Sequence, residues 1–183
     1  MRTKILAVAV CFSGALFAEN FWPNSDFEKG GRREAPEGYT RTGKDKLMQR
    51  WGGPAASGSY ALGLVDNSAV SYSSWSSNDV KLPVGAGGKL LTVKWNARYN
   101  VTGSGMRLSV VFKDQYGEIL RDGTTHVMFR GQNKEWPAEK FEPGQQFILV
   151  PEAAVTMRFD FVSGGADTTM GECWIDDLTA EVK

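Results

Sequence analysis

Apolar and polar residues alternate along several stretches of this chain, which is the pattern of a β-strand with one buried face. The clearest stretch is 91–99, where the apolar positions are Leu91, Val93, Trp95, Ala97 and Tyr99. Segments 106–113 and 155–161 alternate in the same way, and Gly103-Ser104-Gly105 predicts a turn between the first two strands. Weaker strands are predicted at 60–65, 69–75, 127–130, 147–150 and 173–182. After residue 18 the sequence keeps no helical period over three turns.

Turn-forming residues lie between these segments and indicate the fold class. They include Pro54, Pro83, Asp122-Gly123, Pro143-Gly144 and Gly164-Gly165. About eight short strands at this spacing, each with one apolar face, predict an all-β fold in which two sheets share one core. Trp95 and Phe159 alternate with polar neighbours and are predicted to lie in that core.

The last predicted strand carries two adjacent acids in an otherwise apolar sequence, Trp174-Ile175-Asp176-Asp177-Leu178. Ile175 and Leu178 cannot both face the core in a regular strand, because residues three apart point to opposite faces. An extra residue at Asp176-Asp177 would restore the pattern. We therefore predict a β-bulge at these two acids.

The first 18 residues have the composition of an export signal rather than of a folded element. Arg2 and Lys4 form a basic start, residues 5–17 are almost entirely apolar, and Ala18 offers a small residue for cleavage. This predicts a secretory signal peptide at 1–18, which is too short to be a stable membrane span. We expect residues 19–183 to form one domain that is secreted or periplasmic.

Length, charge and cysteine content exclude several classes of protein. The chain has 183 residues, which suits one domain, and its 21 Lys and Arg residues balance 21 Asp and Glu residues. Zero net charge argues against nucleic-acid binding, and no second apolar run is long enough for membrane insertion. Cleavage after residue 18 leaves Cys173 as the sole cysteine, so no disulfide within the chain can secure the fold.

Acidic side chains near the two ends of the domain suggest a metal site. Asp26 and Glu28 lie near the start, and Asp176 and Asp177 lie in the last strand. If the terminal segments are neighbours in the sandwich, these carboxylates meet, and oxygen ligands of this kind suit Ca²⁺. Such an ion would bind only the folded chain and would stabilise it. The alternative is that Asp176-Asp177 caps a strand end and that residues 24–28 form a solvated loop.

Three motifs taken together resemble a known family. They are Asn-x-x-Phe-Glu-x-Gly at 24–30, Pro-x-Gly-aromatic at 36–39 and Trp-Ile-Asp-Asp-Leu at 174–178. The set is similar to the jelly-roll carbohydrate-binding modules with the galactose-binding-like fold, which are attached to many secreted polysaccharide-degrading enzymes. The resemblance implies a single jelly-roll β-sandwich of two antiparallel sheets.

The resemblance also implies a metal and a ligand. The metal is a structural Ca²⁺ held by Glu28 and Asp176, with Asp26 or Asp177 as further ligands. The ligand is a polysaccharide or oligosaccharide, because the C–H faces of sugars stack on exposed aromatic rings while their hydroxyl groups need polar partners. A polysaccharide-degrading enzyme or a cell-surface assembly is the expected partner.

The candidate ligand-binding residues are Trp51, Tyr72, Trp75, Asn96, Arg98, Tyr116 and Trp136. Trp75 stands among four serines, where a large ring is hard to explain as core, and Trp51 has glycine neighbours that leave its face open. Trp136 lies in a polar loop. For each tryptophan the alternative is a ring folded onto the edge of the sandwich. Asn96 and Arg98 face away from the core, either as a polar floor for a sugar or as a wetted sheet face.

These observations predict a non-catalytic carbohydrate-binding protein, with two alternatives from other classes. One is an exported structural or adhesion protein whose open sheet edge or aromatic patch binds a protein. The other is a small polysaccharide hydrolase or lyase, and a hydrolase needs two carboxylates facing one cleft about 5–10 Å apart. The sequence contains no Glu-x-Asp-x-x-Glu run or similar pattern, and its single histidine, His126, has no evident partner.

Overall fold

The computed structural model describes residues 19–30, 35–43, 49–67, 72–121, 124–132, 140–164 and 169–183. The regular elements in these ranges are strands: β1 (Tyr39–Gly43), β2 (Gln49–Gly52), β3 (Ala61–Asp66), β4 (Tyr72–Ser77), β5 (Val80–Lys81), β6 (Leu90–Lys113), β7 (Thr125–Gln132), β8 (Glu142–Leu149), β9 (Thr156–Gly164) and β10 (Met170–Val182). No helix in the same ranges has the length and apolar character needed to span a membrane. The predicted all-β class is therefore confirmed.

One long strand, β6, belongs to two sheets. Its first half pairs with β10 and β8, and its second half pairs with β9 and β7, always antiparallel. Sheet A therefore has the strand order β2-β3-β10-β6-β8. Sheet B has the order β1-β4-β9-β6-β7, with the short β5 beside β9. This arrangement is the predicted jelly-roll sandwich of two antiparallel sheets.

Gly103 and Gly105 bend β6 where it passes from sheet A to sheet B. Both have left-handed φ angles, +73° and +95°, and the register with β7 shifts between Val101 and Met106. The predicted turn at this place is wrong, because β7 pairs with β6 on both sides of the glycines and the chain does not reverse. The two glycines bend the strand without ending it.

The core lies between the inner faces of the two sheets. Trp95 and Phe159 are 7% and 1% exposed, which confirms both as core residues. The ring of Phe129 packs edge-to-face against Trp95 of sheet A and Phe161 of sheet B, with centroid distances of 6.4 and 6.2 Å. Large aromatic rings that contact both sheets in this way supply much of the apolar burial that stabilises the fold.

The predicted β-bulge in the last strand is confirmed. The register of β10 with β6 shifts between Asp176 and Thr179, and Asp177 has a left-handed φ of +50°. Ile175 and Leu178 are consequently both buried, at 1% exposure. The bulge also gives the two acids different surroundings, because Asp176 is fully buried whereas Asp177 is only half-buried.

Candidate functional site

Trp75 lies in the core rather than on a sugar-binding surface, which corrects its predicted role. It points from β4 toward sheet A, is 0% exposed, and donates its indole N–H to the Gly63 carbonyl at 2.9 Å. The Arg41 guanidinium lies 5.0 Å from the centre of its ring. The serines around Trp75 suggested an exposed ring, but they lie on both faces of β4. Ser74 and Ser76 face outward, and Trp75 takes the inward position between them.

The other aromatic candidates lie in different parts of the molecule. Trp51 is half-buried, with its ring stacked on Tyr60 at a centroid distance of 4.7 Å and its indole N–H donated to the Phe27 carbonyl. Tyr72 is 44% exposed and faces outward from sheet B. Trp136 lies outside the described residues. The described tryptophans and Tyr72 therefore do not form a single aromatic platform.

A groove lies on the outer face of sheet A, across β8, β6 and β10, and we call it the sheet A groove. Its volume is about 560 Å³. Its lining residues are Lys94, Trp95, Asn96, Pro143, Gly144, Gln145, Asp177, Thr179 and Glu181. Arg98 is the next outward residue of β6 after Asn96, so the two polar candidates of this strand share one face of the sheet.

Hydrogen bonds fix several polar side chains of the sheet A groove. The Asn96 amide donates to Asp177 Oδ2 at 2.8 Å. The Lys94 ammonium donates to both carboxylate oxygens of Glu181, at 3.1 and 3.2 Å. The groove therefore presents amide, ammonium and carboxylate groups at fixed positions. Such a set of donors and acceptors suits a ligand with several hydroxyl groups.

The exposed ring of Phe147 lies beside the sheet A groove and was not predicted as a ligand-binding residue. It is the next outward residue of β8 after Gln145, pairs with Thr92 of β6, and is 51% exposed. A ring exposed to this extent beside polar side chains offers the apolar surface on which a sugar stacks. Its sequence signal is weak, because residues 147–150 are all apolar and periodicity cannot separate outward Phe147 from inward Ile148.

Gly144 of β8 is paired with Trp95 of β6 and has no side chain to cover the indole. The edge of the otherwise buried Trp95 ring therefore lines the sheet A groove. A Cβ atom at position 144 would lie 2.5 Å from the Trp95 ring, so a side chain there must displace the indole or β8. We expect Gly144→Ala to lower the free energy of unfolding by about 1–3 kcal/mol, which thermal denaturation would measure. A variant as stable as the wild type would show that the ring is not held against Gly144.

Glu28 and Asp176 hold the loop between β2 and β3 from two sides. Glu28 Oε1 accepts hydrogen bonds from the backbone amides of residues 59 and 60, at 2.6 and 2.8 Å. Asp176 Oδ2 accepts from the amides of residues 56 and 57, at 2.8 and 3.0 Å. The acids from the two ends of the domain thus meet at one loop, as the predicted metal site required.

The four predicted ligands do not fit a calcium ion in this arrangement. Glu28 Oε1 and Asp176 Oδ2 each face two N–H groups, whose positive ends would repel a cation. Asp177 is bonded to Asn96, and Asp26 accepts from the Glu28 amide at 3.3 Å. In the described part of the chain no three His, Cys, Asp or Glu side chains converge as metal ligands would. Calcium binding therefore stays a prediction from the acidic residues and from the resemblance, and the hydrogen bonds of these four side chains do not support it.

Comparisons with known proteins show what the chain is similar to. No protein-family model matches the sequence, and no curated protein matches it either. The enzymatically active domain of tailspike protein 4 from bacteriophage CBA120 has a TM-score of 0.66 and 16% identity over 90% of this chain, which covers 21% of that chain. TmCBM61, solved with β-1,4-galactotriose, has a TM-score of 0.57 and 16% identity, with 91% and 100% of the two chains covered. A CBM4 structure has a TM-score of 0.52 and 12% identity, with 87% and 98% covered.

The two similar carbohydrate-binding modules, CBM61 and CBM4, are matched over nearly their whole length. At identities of 12–16% this likeness establishes the fold. It agrees with the two antiparallel sheets that share β6. The chain therefore has the jelly-roll fold of the carbohydrate-binding modules, as the motifs at 24–30 and 174–178 predicted.

Proposed function

We propose that this protein is secreted and binds a polysaccharide or oligosaccharide in the sheet A groove, without cleaving it. A sugar ring stacks on Phe147, and its hydroxyl groups bond to Asn96, Gln145 and Thr179. The observation that carries the proposal is an exposed aromatic ring directly beside a groove of fixed polar side chains. The similar fold of TmCBM61, which was solved with β-1,4-galactotriose, supports it.

The surroundings of the acids support binding rather than hydrolysis. A hydrolase needs a protonated carboxyl that reaches the ligand and a second carboxyl that is ionised. In the groove Glu181 is paired with Lys94, and Asp177 accepts a hydrogen bond from Asn96. Burial raises the pKa of Asp176, but this carboxyl is fully buried and bonded to backbone amides, so it does not reach a ligand.

Affinity electrophoresis in soluble xylan, galactan, glucan and mannan tests the proposal. Phe147→Ala is expected to weaken retardation by the bound polysaccharide about tenfold, or ~1.4 kcal/mol, because the stacking surface is lost. Tyr116, which the sequence suggested as a ligand-binding residue, lies outside the groove on the loop after β6 and is 81% exposed. Tyr116→Ala is therefore the matched control, because it removes an exposed ring without touching the groove. Equal retardation of Phe147→Ala and wild type would reject the groove, and no retardation by any polymer would reject sugar binding.

The edge of sheet A favours one alternative, which is binding to a protein. Leu90 and Leu149 are paired across β6 and β8 near Phe147, and they are 42% and 66% exposed. In the described residues β8 pairs with β6 alone, and an exposed apolar patch at a strand edge is typical of protein contacts. Leu149→Ser is expected to leave sugar retardation unchanged if the groove binds sugar as proposed.

A further inference from the structure

The bulge in β10 places Asp177 between the sheet A groove and the loop that joins β2 to β3. Its Oδ2 atom accepts the hydrogen bond from the Asn96 amide in the groove, at 2.8 Å. Its Oδ1 atom accepts a hydrogen bond from the Ser57 hydroxyl of the loop, also at 2.8 Å. The two oxygens of one carboxylate therefore connect the loop to the groove, and a charged acceptor makes both hydrogen bonds stronger than a neutral one would.

The loop is itself fixed in place, so Ser57 is a firm anchor for Asp177. Four of its backbone amides donate to the carboxylates of Glu28 and Asp176. Gly58 has a left-handed φ of +61°, and a Cβ atom there would collide with Glu28 Oε1. The backbone amide of Asp177 in turn donates to Asp176 Oδ1 at 2.8 Å. Both ends of the connection through Asp177 are thus held by hydrogen bonds.

The Asp177 carboxylate also determines which way the Asn96 amide points. A carboxylate only accepts hydrogen bonds, so the Asn96 atom that faces it must be the nitrogen. The carbonyl oxygen, Oδ1, then points away from Asp177, and it accepts no hydrogen bond from the described residues. Since Asn96 lines the sheet A groove, it presents an acceptor there. A ligand that bonds to this oxygen must supply a donor, which in a sugar is a hydroxyl group.

We propose that Asp177 is a positioning residue of the sheet A groove. It holds the Asn96 carbonyl oxygen toward the ligand and connects that contact to the loop between β2 and β3. The ligand class rests on the function proposed above. Ser57 supports binding through Asp177 without lining the groove. Because the hydrogen bond between the two side chains fixes the orientation, the pair should also work with donor and acceptor exchanged.

Exchanging the two side chains tests the proposal by affinity electrophoresis in the bound polysaccharide. Asn96→Asp places two carboxylates against each other, so retardation should weaken about tenfold. Asp177→Asn lets the two amides pair in either direction, so some molecules turn the Asn96 nitrogen to the ligand and retardation should weaken about threefold. The double variant again pairs one carboxylate with one amide and keeps an acceptor oxygen at position 96. Its retardation should return to within about twofold of the wild type.

The choice of Asn at position 177 keeps the fold comparable among these variants. Asp177 has a left-handed φ of +50°, which Asn tolerates and Ala does not. Asp114→Asn is the matched control, because Asp114 also accepts hydrogen bonds that fix a loop but lies outside the groove. The unfolding temperature of each protein shows that it is folded. All measurements are made in chelator, so that no metal ion bridges the acids.

Nuclear magnetic resonance of the side-chain amides gives a readout that does not depend on sugar. In the wild type one Asn96 Nδ2 proton should be shifted downfield and should exchange slowly with solvent, because Asp177 holds it. Ser57→Ala removes the support from the loop, so this proton should exchange about threefold faster and retardation should weaken about twofold. Ser57→Ala without effect on the Asn96 amide would overturn the connection to the loop.

The remaining outcomes separate the positioning role from the proposed function. A double variant that loses as much affinity as the two single variants combined would overturn the positioning role. So would an Asn96 amide whose protons both exchange freely in the wild type. No retardation of the wild type by any polymer would overturn the proposed function, whereas a slowly exchanging Asn96 proton would still support the pairing with Asp177.

Discussion

Replacing Trp75 with alanine is expected to lower the free energy of unfolding by about 3–5 kcal/mol and to leave sugar affinity unchanged. The indole is fully buried between the sheets, so its removal leaves a large cavity. It also removes the hydrogen bond to the Gly63 carbonyl. Denaturant unfolding measures the stability loss, and affinity electrophoresis of the folded variant measures binding.

Trp75→Phe is the control for this prediction. It keeps much of the buried ring and removes the indole N–H, so we expect a loss of about 1–2 kcal/mol, smaller than that of the alanine variant. A Trp75→Ala variant that is as stable as the wild type but has lost sugar binding would contradict the core position. It would instead restore Trp75 to the role that the surrounding serines suggested.

Asp176→Ala is expected to lower the free energy of unfolding by about 2–4 kcal/mol. The buried carboxylate accepts hydrogen bonds from the amides of Ala56, Ser57 and Asp177, and the alanine leaves all three without it. Asp176→Asn keeps one acceptor oxygen, so its free energy of unfolding should fall by less than that of Asp176→Ala.

Chelator is expected to leave the unfolding temperature of the wild type unchanged, because the hydrogen bonds of Glu28 and Asp176 do not support a metal site. A clear fall of the unfolding temperature in chelator would show that a metal is bound.

The contribution of Asp176 to the free energy of unfolding should decrease as the pH rises. Burial raises the pKa of its carboxyl, opposed by the amide hydrogen bonds, so the folded chain holds this proton more tightly than the unfolded chain. Its contribution to stability therefore falls as pH rises from about 4 through the raised pKa. The stability advantage of the wild type over Asp176→Asn should shrink over that range in denaturant titrations, and a growing advantage would contradict the raised pKa.

Much of the fold could be predicted because alternation records which face of a strand is buried. The strands at 91–99 and 106–113 were predicted on this basis, and so was the bulge at Asp176. β1 and β2 were not predicted, because each lies at the edge of a sheet and carries few apolar residues. The sequence predicted two strands separated by a turn where the structure has the single strand β6. Pairing with β7 on both sides of Gly103 and Gly105 keeps the chain extended there, and the local turn residues do not show that pairing.

The candidate site was harder to predict because it depends on which face a side chain occupies. Asn96 and Arg98 were placed on an outward face from alternation alone, and they lie there. The inward position of Trp75 could not be predicted because serines occupy both faces of β4, so alternation there does not show which face is buried. Phe147 was missed because an unbroken apolar run does not reveal its parity. The groove itself is formed by β8, β6 and β10, whose adjacency no local pattern shows.

Because β6 belongs to both sheets, the two sheets should unfold together rather than one after the other. Neither sheet can separate from the other as an independent folding unit, because opening either one breaks hydrogen bonds of the same strand. Native-state hydrogen exchange should therefore find the slowest amides in both halves of β6, and they should exchange with one common free energy, that of global unfolding. The edge strands β1 and β2 should exchange earlier, through local fraying.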